Sequence, residues 1–264
     1  MFEKSSFLGK TVLITGATGH LGREISRAFA NLGSNLVLVD LSSDSLQELS
    51  ADLSKVFGID VSVYSCDFSD PETRNKVVDH VSSDFEVIDV LINNAAFVGT
   101  SDLSGWSAPF AKQLSSVWPQ VFEVNLTSIF EFAQGLSVNL KKSGSGAIVN
   151  IASIHAHLGP DWDLYEGTEM ASPAAYAASK AGVVNLTKWL STTMAPQVRV
   201  NSVSPGGISR GQPTAFIEKY IARTPMGRMA TESDIVGAIL FFSSDSSGFL
   251  TGQDLCVDGG YSVW

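Results

Sequence analysis

Tyr176 and Lys180 stand four positions apart in the run Ser172-Pro-Ala-Ala-Tyr-Ala-Ala-Ser-Lys180. That spacing is about one helical turn, so both side chains leave the same helix face. A free phenol titrates at about pH 10 and transfers protons poorly at neutrality. An ammonium beside it favours the phenolate and brings the tyrosine toward useful acid–base chemistry. The pair does not make a site by itself, because Tyr and Lys at this spacing also occur on solvent-facing helices.

A second constellation lies near the N-terminus, in Thr15-Gly-Ala-Thr-Gly-His-Leu-Gly22. Gly16 permits a tight turn, Gly19 lets the backbone approach a pyrophosphate, and Gly22 allows close helix–strand packing. A helix starting at such a turn presents unpaired N–H groups and a partial positive charge to phosphates. Asp40 ends the next apolar run, where a carboxylate accepts from ribose hydroxyls and repels a 2′-phosphate. The expected cofactor is therefore NAD, with NADP less favoured; Arg23 and His20 are the nearby residues that keep NADP open.

These residues need a frame. Thr11–Thr15, Asn35–Asp40, Asp60–Ser65, Val87–Asn93, Gly146–Ala152, Gln197–Val203 and Asp254–Val257 read as short strands. Helical spacing follows Gly19 and recurs over Ser45–Phe57, Pro71–Val81, Gln113–Leu140, Ala174–Met194 and Thr231–Ser243. Strands apolar on both faces and separated by helices indicate a parallel sheet covered on both sides, an α/β fold. No linker, repeat or composition break appears, so residues 1–264 read as a single domain. Long loops at Phe97–Lys112 and Ile154–Met170 follow the fourth and fifth strands, at the end where such sheets place ligands.

Bulk properties narrow the function classes. Seventeen Lys+Arg against 27 Asp+Glu give a net charge of −10, which argues against a nucleic-acid or anionic-membrane surface. No apolar stretch approaches the ~18 residues that span a bilayer, and Met1-Phe-Glu-Lys-Ser-Ser shows no signal-peptide pattern. Cys66 and Cys256 are too few and too unlike in context for a disulfide framework, which fits a cytoplasmic protein. His155 and His157 form an H-x-H pair with no third ligand in view, so no metal is expected.

With a dinucleotide turn at one end and Tyr176/Lys180 downstream, the chain resembles the short-chain dehydrogenase/reductase family, in its short single-domain branch. Further matches are Asp67 in Cys-Asp-Phe-Ser-Asp70, Asn93-Asn-Ala-Ala96 (Ala96 replacing the family's glycine) and Asn125 in Phe-Glu-Val-Asn-Leu126. Ser153, Ser204-Pro-Gly-Gly-Ile208 and Thr251-Gly-Gln…Val257-Asp-Gly-Gly260 follow in family order. The resemblance implies a Rossmann-type, doubly wound parallel sheet with helices on both faces, and catalytic roles for Asn125, Ser153, Tyr176 and Lys180. Tyr176 would exchange a proton with the substrate oxygen, and Lys180 would lower the tyrosine pKa and hold the nicotinamide ribose. Ser153 would hydrogen-bond the oxygen where charge develops, and Asn125 would position a water leading from Lys180. Cofactor contacts are implied for Gly16, Thr18, Gly19, His20, Leu21, Asp40, Asp67, Phe68, Asn94, Ala95, Tyr176, Lys180, Pro205, Gly206 and Ile208. A homotetramer or homodimer is implied, with the apolar run Tyr261-Ser-Val-Trp264 available to pack across an interface.

The departure from the family is the 23-position gap between Ser153 and Tyr176, about ten more than usual. Its extra material, Leu158-Gly-Pro-Asp-Trp-Asp-Leu-Tyr-Glu-Gly-Thr-Glu-Met170, is acidic and aromatic. Carboxylates and rings suit a polyhydroxylated ligand, although a solvated acidic loop would share that composition. Tyr165-Glu-Gly-Thr168 also resembles a subgroup of bacterial surface-sugar and flagellin-modification oxidoreductases. Candidate substrate contacts are Ser153, His155, Tyr165, Glu166 and Arg210, with Arg223 and Arg228 as alternative cations and Trp106 as a cap. Trp118 is expected to pack within its helix. The leading expectation is an NAD-dependent oxidoreductase of a secondary alcohol or ketone in a sugar-derived compound. The alternatives are a 3-oxoacyl thioester reductase using NADPH, a sugar-nucleotide epimerase or dehydratase, and a non-catalytic NAD-binding sensor or scaffold.

Overall fold

A computed structural model of the chain describes residues 6–98 and 103–264. The signal-peptide reading of the first residues and positions 99–102 of the loop after the fourth strand lie outside them. Seven strands form one parallel sheet in the order β3-β2-β1-β4-β5-β6-β7. They are β1 (Thr11–Thr15), β2 (Asn35–Asp40), β3 (Val61–Ser65), β4 (Val90–Asn93), β5 (Gly146–Ile151), β6 (Val198–Pro205) and β7 (Asp254–Val257). The order reverses between β1 and β4, and ligands of such sheets lie in the crevice beyond that point.

Strand alternation divides the core. Val12 and Ile14 of β1 pack to one side with α1 (His20–Asn31), α2 (Ser43–Phe57) and α9 (Glu232–Ser243). Leu13, pointing the other way, packs with α3 (Pro71–Asp84), α5 (Ser128–Gly135) and α7 (Ala174–Met194). Both faces are covered, which is why the strands carry almost unbroken apolar runs.

The helix expected over Gln113–Leu140 is instead segmented. Pro119 opens α4 (Trp118–Phe122), where its missing N–H costs nothing. A π-helical turn covers Glu123–Thr127 around Asn125, and Leu136 separates α5 from α6 (Ser137–Lys142). Gln113 lies before all of these and bonds Ala108 O, Ser172 O and Ala174 N, joining this loop to the start of α7. Trp118, expected inside the helix, stacks on Phe122 and remains 39% exposed.

One helix, α8 (Thr214–Arg223), lies where the sequence reading assigns no element. Its apolar face carries Phe216, Ile217, Tyr220 and Ile221, and it packs on the acidic segment after Ser153. Rings continue this layer: Tyr165 meets Phe216, Phe216 stacks on Tyr220, and Tyr220 stacks on Tyr261 at 4.6 Å. The C-terminal run therefore turns inward at Tyr261, and Trp264 Nε1 donates to Arg223 O at 2.9 Å. The segment expected to be free for an interface is partly spent on the chain's own roof.

Candidate active site

At the carboxyl ends of β1, β2, β4, β5 and β6 lies a cleft of about 1040 Å³. Every residue expected to touch the cofactor lines it: Gly16, Thr18, Gly19, His20, Leu21, Asp40, Asp67, Phe68, Asn94, Ala95, Tyr176, Lys180, Pro205, Gly206 and Ile208. The glycine turn is closely packed. Gly16 has φ +64°, and a Cβ there would sit 2.8 Å from Ala95 Cα. A Cβ on Gly22 would lie 2.1 Å from Gly16 O, inside any van der Waals contact. Gly19 caps α1 without a side-chain hydrogen bond, so the first N–H groups of the helix have no cap to satisfy them.

Neighbouring strands brace this turn. Asn94 Nδ2 donates to Thr15 O and Gly16 O at 3.1 and 2.9 Å, while Asn94 N and Ala95 N donate to Thr15 Oγ1. Asp40 accepts from Thr18 N and Thr18 Oγ1, both at 2.8 Å, on one oxygen, and from Leu41 N on the other. Arg23 is turned back to Thr18 O at 2.8 Å and does not line the cleft. A backbone cradle that excludes side chains, an uncapped helix N-terminus and an oriented carboxylate together suit a dinucleotide.

Tyr176 and Lys180 leave α7 on one face, as their spacing requires. Lys180 is 2% exposed and donates to Ile151 O at 2.7 Å. Burial pulls its pKa down to about 8. The Lys180 Nζ stands 5.8 Å from the centre of the Tyr176 ring. Burial pushes the Tyr176 phenol up, against a hydrogen bond from Ser153 and the charge of Arg210, which lower it. Ser153 and Arg210 are thus the groups that favour the phenolate, while the Lys180 ammonium donates to a carbonyl beside the ring.

Ser153 lies at the end of β5 and is buried at the cleft wall. Asn125 sits behind the wall rather than in it. Its amide donates to Ser179 Oγ at 3.0 Å and to Phe97 O at 3.3 Å, and its carbonyl accepts from Phe97 N at 2.7 Å. Ser179 Oγ in turn donates to Tyr176 O at 2.8 Å. The Asn125 side chain thus ties α7 to the loop after β4. Trp106 is likewise no cap. It is 1% exposed, donates to Val98 O, and packs edge-on against Tyr176 at 6.4 Å.

On the substrate side the expected residues separate. His155, Tyr165 and Arg210 line the cleft with Ser153. His155 packs edge-on against Tyr176 at 6.2 Å, and burial lowers its pKa. Its Nδ1 is buried without a hydrogen-bond partner. Glu166 faces solvent and pairs with Lys219 of α8 at 3.7 Å, outside the cleft. Asp161 lines the cleft but pairs with Arg223, and Arg228 pairs with Asp234. Two of the segment's four acids, Asp161 and Glu166, clamp it to α8. Their opposite charges on α8 are the reason. Sequence reasoning also passed over Phe216, Tyr220 and Gln212, which line the roof; the i, i+4 spacing of Phe216 and Tyr220 is the signal that could have found them.

Comparison with known proteins adds an independent line. Residues 16–262 match the family described as enoyl-(acyl carrier protein) reductase. The chain is 33% identical to sorbose reductase of Schizosaccharomyces pombe, over 99% of each chain. It is 31% identical to NADP-dependent mannitol dehydrogenase of Alternaria alternata, over 98% of this chain and 94% of that one. Among solved structures, a short-chain dehydrogenase of Leptospira borgpetersenii with bound NAD+ superposes with a TM-score of 0.84 at 31% identity, covering 98% of this chain and 95% of that one. Nothing in these matches supports the surface-sugar and flagellin-modification subgroup.

Proposed function

The chain belongs to the short-chain dehydrogenase/reductase family and is an NAD(P)-dependent oxidoreductase of CH–OH and C=O groups; we propose that it interconverts a polyol and its ketose with NAD as the preferred cofactor. The observation that carries this reading is the joint placement of Ser153, Tyr176, Lys180 and His155 at one wall of the cleft. When bound, the nicotinamide supplies or takes the hydride. Tyr176 gives or receives the proton at the substrate oxygen, and Ser153 donates a hydrogen bond to that oxygen as charge develops. Lys180 holds the nicotinamide ribose and supplies positive charge at the base of α7. Asn125 is a positioning residue, acting through Ser179 on the turn that carries Tyr176 and Lys180.

Asp40 supports NAD. Its carboxylate is held by Thr18 and Leu41 at the cleft wall, where it repels a 2′-phosphate. The lysine and arginine among the lining residues are Lys180 and Arg210, and both act on Tyr176. The polar groups beside Tyr176, with the sorbose and mannitol relatives, support a polyhydroxylated substrate over an acyl chain. Trp118 and Trp189, 39% and 54% exposed on α4 and α7, support a homodimer or homotetramer formed through these helices.

The test is turnover of the purified protein with pentitols, hexitols and ketoses against an acetoacetyl thioester, each with NAD(H) and NADP(H). The reading expects the polyol–ketose pair with NAD(H) to exceed the thioester at least tenfold in kcat/KM. A thioester preference with NADPH would replace it by the 3-oxoacyl reductase reading, and tight NAD binding without any turnover by the sensor reading.

A further inference from the structure

His157, Asp254 and Cys256 bring an imidazole nitrogen, a carboxylate oxygen and a thiol sulfur within 4.8 Å of one another, outside the cleft. Asp254 and Cys256 are alternate residues of the edge strand β7 and so share one face. They pair in register with Ser202 and Ser204 of β6. Ser202 Oγ donates to Asp254 Oδ1 at 2.6 Å, and Ser204 Oγ donates to Asp254 Oδ2 at 2.9 Å. These hydroxyls fix the carboxylate's orientation, as outer partners do around metal ligands. His157 arrives from the turn that follows Ser153, and its Nε2 lies 2.7 Å from Asp254 Oδ2.

The donor types decide what such a site would take. Mg2+ and Ca2+ require oxygen ligands, whereas imidazole, thiolate and carboxylate together match Zn2+. Zinc–ligand bonds of about 2.0–2.3 Å place tetrahedral donors roughly 3–4 Å apart, so an ion would part the His157–Asp254 pair from 2.7 Å and hold the three atoms, now within 4.8 Å, at that spacing. His157 is 37% exposed at its side chain, which gives an ion a route in and leaves a fourth position for water.

We propose that His157, Asp254 and Cys256 form a Zn2+ site on the edge of the sheet, the ion taking the place of the His157–Asp254 hydrogen bond. Occupied, the site ties the turn between Ser153 and His157 to β7. It therefore braces the substrate side of the cleft from behind without entering it. The competing account is a His–Asp hydrogen bond with a thiol nearby by chance.

The two accounts separate in metal binding by tag-free protein, kept reduced with a non-chelating phosphine. Equilibrium dialysis against Zn2+ should give about one equivalent per chain, and Co2+ as a probe should give a thiolate charge-transfer band. Cys256→Ser should abolish that band and weaken Zn2+ at least tenfold, and His157→Ala should weaken it similarly. Ser202→Ala, which touches only the carboxylate, should cost about tenfold. Cys66, fully buried, does not contribute a competing thiolate. Thermal melts separate folding from metal binding: His157→Ala and Ser202→Ala should melt below the wild type without metal, because each loses a bond to Asp254, and all the variants should lose the wild type's Zn2+-dependent rise. Wild type that takes up no zinc beyond the Cys256→Ser, His157→Ala double variant overturns the proposal, as does undiminished affinity in Cys256→Ser.

Discussion

Replacing Lys180 by Met removes a buried ammonium whose titration the fold has moved from its ordinary 10.5 to about 8. Burial is the cause: it disfavours the charged form, and the single bond to Ile151 O offsets this only in part. Below pH 8 both the folded and unfolded chains hold the proton, and the folded state carries the whole cost of burying the charge. Between pH 8 and about 10.5 the unfolded chain still binds a proton that the folded chain has released, so stability rises with pH. Each pH unit in that window contributes about 1.4 kcal/mol. From pH 7.5 to 10 the wild type should therefore gain about 2–3 kcal/mol relative to Lys180→Met, whose residue 180 does not titrate. Urea unfolding of both proteins at pH 7.5, 8, 9 and 10 measures the difference, and titrations common to both chains cancel. A gap between the two proteins that does not change with pH would refute the assignment of a strongly desolvated lysine.

Asp161→Asn should release the acidic segment from α8 and raise KM about two- to fivefold with kcat little changed, the worth of one partly exposed ion pair. Wild type assayed in 1 M salt should approach the same KM. Glu166→Gln, at an exposed pair away from the cleft, should leave KM unchanged. Gly22→Ala should cost about 1–3 kcal/mol in denaturant melts and weaken NAD binding, because its Cβ meets backbone atoms that cannot move aside. Gly237→Ala, on an open position of α9, should instead stabilise by about 0.5–1 kcal/mol.

Local signals carried most of the fold. β1, β2 and β7 were legible to the residue because short apolar runs end at Gly, Asp or turn residues that stop a strand. The long helix after β4 was less legible. Its hydrophobic spacing is continuous across the π turn at Asn125 and the break at Leu136, so periodicity marks neither. The cofactor end of the cleft was readable because glycines and a strand-end aspartate serve one geometry. The substrate end was not, since α8 and the acidic segment meet only in three dimensions. Composition alone could not say that Asp161 and Glu166 would find Arg223 and Lys219 before they found a ligand. His157 shows the same limit: its partners on β7 are about a hundred residues away, so the H-x-H pair looked unaccompanied.

In the proposed reaction Tyr176 moves the proton while hydride is transferred at this cleft. Tyr176→Phe keeps the ring that packs against Trp106 and His155 and removes only the hydroxyl. Single-turnover reduction of NAD(P)+ by the best polyol, measured beside cofactor affinity by fluorescence titration, tests it most directly. Loss of the hydroxyl should slow the transfer by about 10²–10⁴-fold, with cofactor affinity within about threefold of wild type. A Tyr176→Phe enzyme that transfers hydride at nearly the wild-type rate would contradict it.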